Sequence, residues 1–481
     1  MSTVRVRFAP SPTGYLHVGG LRTALYNYLF ARKHHGAFVL RIEDTDRARF
    51  VEGAVENLIE TLRWAGLDFD EGPGKGGGAG PYVQSERLTT YRNFAEELVV
   101  RGKAYWAFDT AEELEEMRKT REKMHLPPKY DRRALKLSTD EVRRKLDAGS
   151  PGVIRMKVPD GSAVRFDDVV RGRVEFSSEL IDDQVLLKSD GYPTYHLANV
   201  VDDHLMGISH VIRGEEWLSS TPKHVLLYDF FGWNLPTFAH LPLLLNPDRS
   251  KLSKRQGDVA VEEYRKKGYL PEALINFVSL LGWNPGHEGE IFTLEQLISE
   301  FSLERVGKAG AVFNLEKLNW LNFQHLRRKP DTEVLEMLRS VLPGRGEEEF
   351  DDRYLLNVIA AMRDRVTFVA DFVEKSPYFF RSSFDYDPEV VRKRWTPQAA
   401  ARLNSFMAVI RTLSEPKKED YEAALHGVAD TLSVKPGDLI HPLRLALTGM
   451  GAGPGLFDIL FILGKDESLR RIARALERLG S

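Results

Sequence analysis

The sequence predicts a Rossmann-like α/β domain, interrupted by an inserted α+β domain and followed by a mostly α-helical C-terminal region. Three observations lead to this prediction. The chain has 481 residues, which exceeds what a single hydrophobic core usually supports. It opens with a strand–loop–helix–strand pattern, and its last third changes to helical spacing. Hydrophobic residues make up 42% and charged residues 28%, as in ordinary globular proteins.

The N-terminal segment opens a parallel α/β unit. Apolar residues alternate with arginine over residues 4–8, which is the period-2 pattern of a half-buried strand. Pro10 and Pro12 break the chain into a loop, and helical spacing begins at Gly19. A second strand is expected over residues 37–42. One face of the intervening helix is apolar and consists of Leu21, Leu25, Tyr28 and Leu29.

The α/β pattern is interrupted and then resumes. Residues 90–190 mix helical segments with short strands, and strand character returns at His210–Arg213 and Thr237–Leu245. Between these strands, Thr221 followed by Pro222 predicts a helix start, with Thr221 as the N-cap. Beyond about residue 330 the pattern is helical. An insertion within the core, followed by a helical region, accounts for this order.

Composition excludes several kinds of site. The chain has no cysteine, which removes disulfides, thiolate nucleophiles and cysteine-based zinc sites. The first residues lack the apolar core of a signal peptide, and no apolar run is long enough to cross a bilayer. These features predict a soluble, cytoplasmic protein without a membrane partner. The net charge of −3 neither supports nor excludes a nucleic-acid partner.

Two loops have the composition of phosphate-binding segments. His17 stands at a loop-to-helix junction and is followed by Gly19 and Gly20, which would let the backbone approach a polyphosphate closely. Lys251 and Lys254 lie three residues apart in a polar loop, where their charge would stabilise a phosphoryl transition state and a leaving pyrophosphate. Either loop alone is weak evidence, since basic loops are usually solvated.

A third group of polar residues surrounds the end of a predicted strand. It runs from Asp190 to Asp203 and continues from His210 to Trp217. Parallel α/β sheets bind ligands at the carboxyl ends of their strands, so this concentration predicts a site.

Together these segments resemble the glutamyl branch of the class I aminoacyl-tRNA synthetases. His17–Gly20 resembles the HIGH signature, although Gly20 replaces its final histidine. Lys251–Arg255 resembles the KMSKS signature, with Arg255 in place of the final serine. The strings Arg7–Gly14 and Arg41–Asp46 are specific to the glutamyl/glutaminyl subgroup. The resemblance covers the chain to about residue 320 and is looser beyond it.

The resemblance implies an activity and a set of site residues. It implies ATP-dependent activation of L-glutamate with Mg²⁺, followed by transfer to the 3′ end of a glutamate tRNA by a cytoplasmic monomer. The catalytic residues would be His17, Lys251 and Lys254. Glutamate would be bound by Arg7, Ala9, Ser11, Glu43, Tyr195, Asn199 and Arg213, with Arg7 on the γ-carboxylate and Glu43 on the ammonium group. ATP would be bound by His17, Gly19, Gly20, Glu216, Trp217 and Lys254.

The resemblance also implies a domain order and tRNA contacts. A catalytic Rossmann domain would occupy residues 1–90 and 195–258, with an acceptor-binding insertion at 91–194, a stem-contact domain at 259–329 and an anticodon-binding domain at 330–481. Arg363 and Arg365 would contact an anticodon base, since arginine can form paired hydrogen bonds to a base edge.

No structural zinc is expected. Some bacterial members of the family carry a zinc site in the insertion. Here the corresponding positions hold Ala107, Asp109, Ala134 and Lys136.

Four alternatives remain at this point. An adenylyltransferase of the same superfamily, or a glutamyl transferase that modifies a tRNA base, would lack the helical region beyond residue 330. A non-catalytic tRNA-binding paralogue would not need His17, Lys251 and Lys254. A glutaminyl enzyme would resemble this chain only in its catalytic half. Whether one tRNA or two would be charged is left open.

Overall fold

A computed structural model describes residues 3–127, 129–252, 260–342 and 350–480. The chain forms two compact units. The first comprises Met1–Lys267 and Pro271–Leu318, and the second comprises Gly268–Leu270 and Asn319–Ser481. Among the described residues no helix is both long and apolar enough to cross a bilayer.

The predicted opening of the first unit is confirmed, with small shifts of the ends. Strands β1 (Arg5–Phe8) and β2 (Ala37–Leu40) pair in parallel, and α1 (Val18–Lys33) connects them. Leu21, Leu25 and Leu29 of α1 have no exposed surface, because the apolar face lies on the sheet. Two further helices, α2 (Ala54–Trp64) and α3 (Leu88–Val100), follow.

An inserted segment follows α3 and contains two helices and five strands. These are β3 (Ala104–Ala107), α4 (Ala111–Lys123), α5 (Thr139–Asp147), β4 (Val153–Met156), β5 (Ala163–Asp168), β6 (Gly172–Ser177) and β7 (Val185–Leu187). Strands β3, β4 and β7 form an antiparallel sheet, and β5 pairs with β6 as an antiparallel hairpin. Each helix begins at a capping box, Thr110 with Glu113 and Ser138 with Glu141.

The parallel core then resumes with α6 (Tyr195–Leu205), β8 (His210–Gly214), α7 (Thr221–Phe231) and β9 (Thr237–Leu241). Strand β9 pairs in parallel with β8, and at its other edge it pairs with the end of β5. The nitrogen of Ser209 donates to the carbonyl of Arg5 at 2.9 Å, which places β8 beside β1. The inserted hairpin therefore shares a four-stranded sheet with β9 and β8, in the order β6-β5-β9-β8, and the parallel pair of β1 and β2 lies next to it.

Two local predictions for this part were wrong. The expected strand 237–245 is broken at Pro242, which has no N–H to donate to a sheet, and resumes as β10 (Leu244–Leu245). Thr221 is not an N-cap, because a 3₁₀ turn over Glu215–Ser220 runs directly into α7. Its hydroxyl instead accepts a hydrogen bond from Arg213 at 2.8 Å.

The rest of the first unit is mainly helical. It contains α8 (Val261–Lys266), α9 (Pro271–Ser279), α10 (Leu294–Glu300) and β11 (Ala311–Val312), which pairs in parallel with β10. The boundary between the units falls inside α11 (Leu315–Arg328).

The described part of the second unit is helical, as predicted. Its helices after α11 are α12 (Asp331–Val341), α13 (Asp352–Met362), α14 (Asp371–Glu374), α15 (Pro388–Arg394), α16 (Ala399–Arg411), α17 (Lys418–Thr431), α18 (Gly437–Thr448) and α19 (Leu456–Leu479). Helix α19 is kinked at Gly464, whose φ is +76°. Leu355, Phe372, Phe406 and Leu425 have no exposed surface, so α13, α14, α16 and α17 each bury an apolar face.

Candidate active site

The first unit contains a cleft of about 480 Å³ at the carboxyl ends of β1, β2 and β8. Parallel α/β sheets bind ligands at this edge. The structure brings to this cleft every predicted catalytic, glutamate-binding and ATP-binding residue that it describes, namely Arg7, Ala9, Ser11, His17, Gly19, Gly20, Glu43, Tyr195, Asn199, Arg213, Glu216, Trp217 and Lys251. Lys254 lies outside the described residues.

One end of the cleft is formed by the N-terminus of α1. His17 is the N-cap, and its Nδ1 accepts from the nitrogen of Gly20 at 3.0 Å. A Cβ at position 20 would lie 2.7 Å from Leu16 Cδ1, and one at position 19 would lie 3.1 Å from the His17 ring. Glycine at both positions thus avoids close contacts of a Cβ with His17 and Leu16 in the first turn of the helix. Helix N-termini with accessible N–H groups bind anions, so this end suits phosphates.

The described beginning of the basic loop is held beside the same end. The nitrogen of Leu252 donates to the carbonyl of Leu244 at 2.9 Å, and Leu245 forms a bridge with Lys251. Lys251 is exposed and lines the cleft. Its ammonium group is thus available to an anionic ligand.

The cleft also contains the buried guanidinium of Arg213. Its Nη1 donates to the Tyr195 hydroxyl at 2.9 Å, its Nη2 to Thr221 Oγ1 at 2.8 Å, and its Nε to His240 Nε2 at 3.1 Å. His224 Nδ1 lies 3.3 Å from Nη1. All four partners are neutral groups. Within the described part of the chain, no carboxylate lies within 4 Å of this guanidinium.

Tyr195 and Trp217 form an aromatic pair in the lining of the cleft. The rings of Tyr195 and Trp217 are 4.2 Å apart between centroids, and Trp217 is 37% exposed. Burial raises the pKa of the Tyr195 hydroxyl, so this hydroxyl stays protonated at neutral pH. Glu216 is exposed beside them. An exposed indole of this kind can stack on a planar base.

Arg7 differs from Arg213 because it has a carboxylate partner. Its Nε and Nη2 donate to the two oxygens of Asp203 at 3.0 and 3.3 Å. Arg41 donates from Nη1 to Asp203 at 2.7 Å and from Nη2 to Glu43 at 2.9 Å. With its amide oxygen facing the guanidinium groups, Asn199 accepts from Arg41 and Arg7 at 3.1 and 3.3 Å. Arg7 and Glu43 are therefore held by partners behind the cleft.

The buried carboxylates of this network pair with its buried guanidinium groups. Burial would raise the pKa of Asp203, but Arg7 and Arg41 hold that pKa below its usual value. Burial raises the pKa of Glu43, and Arg41 opposes this rise. The buried cations thus keep Asp203 ionised.

Asp202 supplies another buried carboxylate next to this network, 3.8 Å from Arg41 Nε. Asp202 accepts from Arg87 Nε at 2.8 Å, from the Tyr91 hydroxyl at 2.8 Å and from Gln84 Nε2 at 2.9 Å. It has no exposed surface. Its partners lie on α3 and on the turn before it, so these two elements are tied to α6.

Sequence reasoning did not identify several residues of this site. Asp202, Asp203 and Arg41 stand in the motif strings, and two adjacent acids late in an apolar helix were an available signal. Asp168 and His240 gave no signal, because they stand in separate strands and neither local sequence points to the other. Burying them next to each other is a result of the sheet pairing.

The positions that correspond to a zinc site serve other roles. Ala107 and Ala134 are buried in a small core that includes Tyr130, whose hydroxyl donates to Asp109 at 2.6 Å. Lys136 is exposed. Across the described ranges, no three histidine, aspartate or glutamate residues are grouped so as to hold a metal ion.

Arg363 and Arg365 are placed differently in the second unit. The Nη1 of Arg363 donates to the carbonyl of Lys329 at 2.6 Å, and its Nη2 lies 2.6 Å from Asp331 Oδ1. Arg365 is exposed. The guanidinium of Arg363 therefore links α12 and α13, whereas Arg365 faces solvent.

Comparison with known proteins identifies the family. A family model described as class I tRNA synthetases (E and Q), catalytic domain, matches residues 3–320, and a model described as an anticodon binding domain matches residues 333–476. Glutamate–tRNA ligases of Chloroherpeton thalassium and Pelodictyon phaeoclathratiforme are each 54% identical to this chain, over 99% of its length and 98% of theirs.

Solved structures agree with these matches. The crystal structure of a glutamate tRNA ligase from Elizabethkingia meningosepticum, in complex with its amino acid, is 41% identical, covers 100% of both chains and superposes with a TM-score of 0.95. The glutamate–tRNA synthetase from Elizabethkingia anophelis is 40% identical over 99% of this chain, with a TM-score of 0.91. The chain belongs to the glutamate–tRNA ligases, a family of class I aminoacyl-tRNA synthetases.

Proposed function

We propose that this cleft activates L-glutamate with ATP and then transfers it to the 3′-terminal adenosine of a glutamate tRNA, releasing pyrophosphate and AMP. The observation that carries the proposal is the environment of Arg213. This guanidinium is 4% exposed, lines the cleft and is surrounded by neutral acceptors. A buried charge without a counter-ion is unfavourable, so a ligand carboxylate would stabilise it.

The two ends of glutamate would meet opposite charges. Arg213 and Arg7 would face the side-chain carboxylate, with Arg213 contributing the unneutralised charge. Glu43 would accept from the ammonium group, and Tyr195 and Asn199 would frame the chain between them. Glutamine has a neutral amide at the place of the carboxylate and would leave Arg213 without a counter-ion. Sites built on such buried polar groups reject the analogue that cannot pair with them.

A different set of residues in the cleft would bind ATP. The N-terminus of α1, with His17, Gly19 and Gly20, would bind phosphate oxygens, and Trp217 with Glu216 would lie at the adenine and ribose. Mg²⁺ would be carried by the triphosphate, since it prefers phosphate oxygens and water to an all-protein site.

The chemistry needs no protein nucleophile. An oxygen of the α-carboxylate attacks the α-phosphorus, and pyrophosphate leaves with the electron pair of the broken bond. A ribose hydroxyl of the terminal adenosine then attacks the carbonyl carbon of the anhydride and loses its proton to solvent, and AMP leaves with the electron pair of the broken C–O bond. His17, Lys251 and Lys254 would stabilise the charge that develops on the phosphates.

The tRNA would use the remaining parts of the chain. We expect the inserted segment, residues 91–194, to bind the acceptor end, residues 259–329 to contact the stem, and the helical region from residue 330 to bind the anticodon. Arg365 is the better placed of the two predicted arginines, because Arg363 already holds Asp331 and Lys329. We also expect a cytoplasmic monomer, which light scattering in solution would test.

Charging of labelled glutamate onto two transcripts, a glutamate tRNA and a glutamine tRNA, tests the proposal. Charging of the glutamate tRNA alone would indicate an enzyme that discriminates between the two tRNAs. Charging of both would indicate a non-discriminating enzyme. Charging of neither would refute the proposal.

Two variants test the assignment of roles. Lys254→Ala should reduce the rate of activation by about 10²-fold or more while leaving tRNA affinity near normal. Arg7→Ala should raise the KM for glutamate far more than the KM for ATP. Equal losses of activation rate and tRNA affinity would contradict the role of Lys254. Equal changes in the KM for glutamate and the KM for ATP would contradict the role of Arg7.

A further inference from the structure

Arg213 is held from behind by a buried histidine–aspartate pair. Its Nε donates to His240 Nε2 at 3.1 Å, and His240 Nδ1 lies 2.6 Å from Asp168 Oδ2. His240 and Asp168 have fully buried side chains. Neither residue lines the cleft. The pair is therefore linked to the cleft through Arg213.

The direction of each hydrogen bond follows from the chemistry of arginine. A guanidinium can only donate, so Nε2 of His240 must be the accepting nitrogen. The ring proton is then on Nδ1 and is donated to Asp168. Asp168 is itself fixed by the backbone nitrogens of Val170 and Arg171, at 3.0 and 2.8 Å. His240 is thus a neutral imidazole in one tautomer.

His224 and His196 form a second buried pair next to Arg213, and the same reasoning fixes the position of the proton on His224. His224 Nδ1 faces Arg213 Nη1 at 3.3 Å and must accept, so its proton is on Nε2, which lies 3.1 Å from His196 Nδ1. Burial and the charge of Arg213 lower the pKa of His224, and burial lowers that of His196 to about 3. Burial also lowers the pKa of His240. All three rings are neutral at physiological pH.

Neutral acceptors orient a guanidinium without cancelling its charge. Arg7 shows the contrast, because Asp203 both orients it and neutralises it. Asp168 is separated from Arg213 by the His240 ring, so its negative charge fixes the tautomer rather than pairing with the guanidinium. The full positive charge of Arg213 is then left for a ligand.

We propose that His240 and Asp168 are positioning residues that fix Arg213 for the side-chain carboxylate of glutamate and so contribute to the rejection of glutamine. The proposal rests on the proposed role of Arg213 in binding glutamate. It also gives the inserted segment a part in the amino-acid site. Asp168 ends β5, and the next residue, Val169, donates its N–H to the carbonyl of Phe238 in β9 at 2.9 Å.

Three variants in strand β9 test the proposal by glutamate-dependent ATP–pyrophosphate exchange in the presence of tRNA. His240→Leu removes the acceptor and should raise the KM for glutamate by about 10- to 100-fold, with the KM for ATP changed by less than about twofold. His240→Gln keeps an oxygen near the Nε2 position and should recover most of the loss. Phe238→Leu is the matched control, since this buried ring stacks beside His240 but has no polar atom that could accept a hydrogen bond from Arg213.

Three outcomes would overturn the proposal. One is an equal rise of both KM values in His240→Leu. Another is a His240→Gln variant no better than His240→Leu. The third is a Phe238→Leu variant with the same selective loss for glutamate. Selectivity between glutamate and glutamine should fall in His240→Leu and return in His240→Gln.

A spectroscopic readout separates this inference from the proposed function. In protein labelled with ¹⁵N-histidine, His240 should show a protonated Nδ1 and an unprotonated Nε2, and Asp168→Asn should shift the Nδ1 resonance, because a neutral oxygen is a weaker acceptor than a carboxylate. An imidazolium, or a protonated Nε2, in the unsubstituted protein would overturn the inference whether or not glutamate is activated. A correct tautomer in a protein that charges no tRNA would refute the proposed function alone.

Discussion

Replacing Asp203 with asparagine should disrupt the site more than any single loss of an ion pair at the surface. Asp203 is 1% exposed and is the common partner of Arg7 and Arg41, which are 3% and 0% exposed. Three hydrogen bonds between charged groups, of 2.7 to 3.3 Å, converge on its two oxygens. Asparagine has nearly the same shape but no charge, and one of its oxygens becomes an amide group that donates.

The magnitude follows from the two cations that remain. Breaking a buried ion pair by removing one partner costs about 3–5 kcal/mol, because a buried charge is left uncompensated. In Asp203→Asn, Arg41 keeps Glu43 at 2.9 Å, whereas Arg7 keeps only the amide of Asn199. We therefore expect a loss of about 3–5 kcal/mol in the free energy of unfolding and a higher KM for glutamate, since Arg7 is no longer oriented.

The assay compares two variants by urea unfolding. Glu175→Gln is the matched control, because Glu175 binds Arg165 through two hydrogen bonds of 2.9 and 3.0 Å but both side chains are about half exposed. Exposed pairs contribute about 0–1 kcal/mol. Equal losses of stability in Asp203→Asn and Glu175→Gln, or an unchanged KM for glutamate in Asp203→Asn, would refute the reasoning.

Three further predictions concern pH, the helix start and metal. His196, His224 and His240 have lowered pKa values in the folded chain, so unfolding takes up protons below pH 6.5. The free energy of unfolding should therefore be at its maximum above that pH and should fall below it by up to about 1.4 kcal/mol per pH unit for each ring. Urea unfolding at pH 7.5, 6.5 and 5.5 measures this, and a constant stability would contradict it. Gly20→Ala places a Cβ 2.7 Å from Leu16 Cδ1, so it should lower stability by about 1–3 kcal/mol and raise the KM for ATP; unchanged ATP kinetics would contradict the phosphate role of this turn. A chelator such as EDTA, removed before the assay, should leave the melting temperature unchanged, and a lower melting temperature restored by zinc would reveal a structural metal.

Local patterns in the sequence determined much of this protein. Alternation over residues 4–8 and helical spacing from Gly19 identified β1, α1 and β2, because strand and helix periods place apolar side chains on one face. The motif strings around His17, Glu43 and Arg213 identified the cleft, since they follow β1, β2 and β8, whose carboxyl ends lie at this cleft. The helical pattern beyond residue 330 correctly predicted the second unit.

Only the tertiary structure decided what those side chains contact. The sequence treated Arg7 and Arg213 alike, yet Asp203 neutralises the first and neutral rings surround the second. Thr221 was predicted to be a helix N-cap, but in the structure its hydroxyl accepts a hydrogen bond from Arg213. Asp168 lies 72 positions from His240, and the pairing of β5 with β9 brings them together. Sequence periodicity reports which face of an element is buried, whereas the charge state and orientation of a buried group depend on neighbours supplied by distant strands.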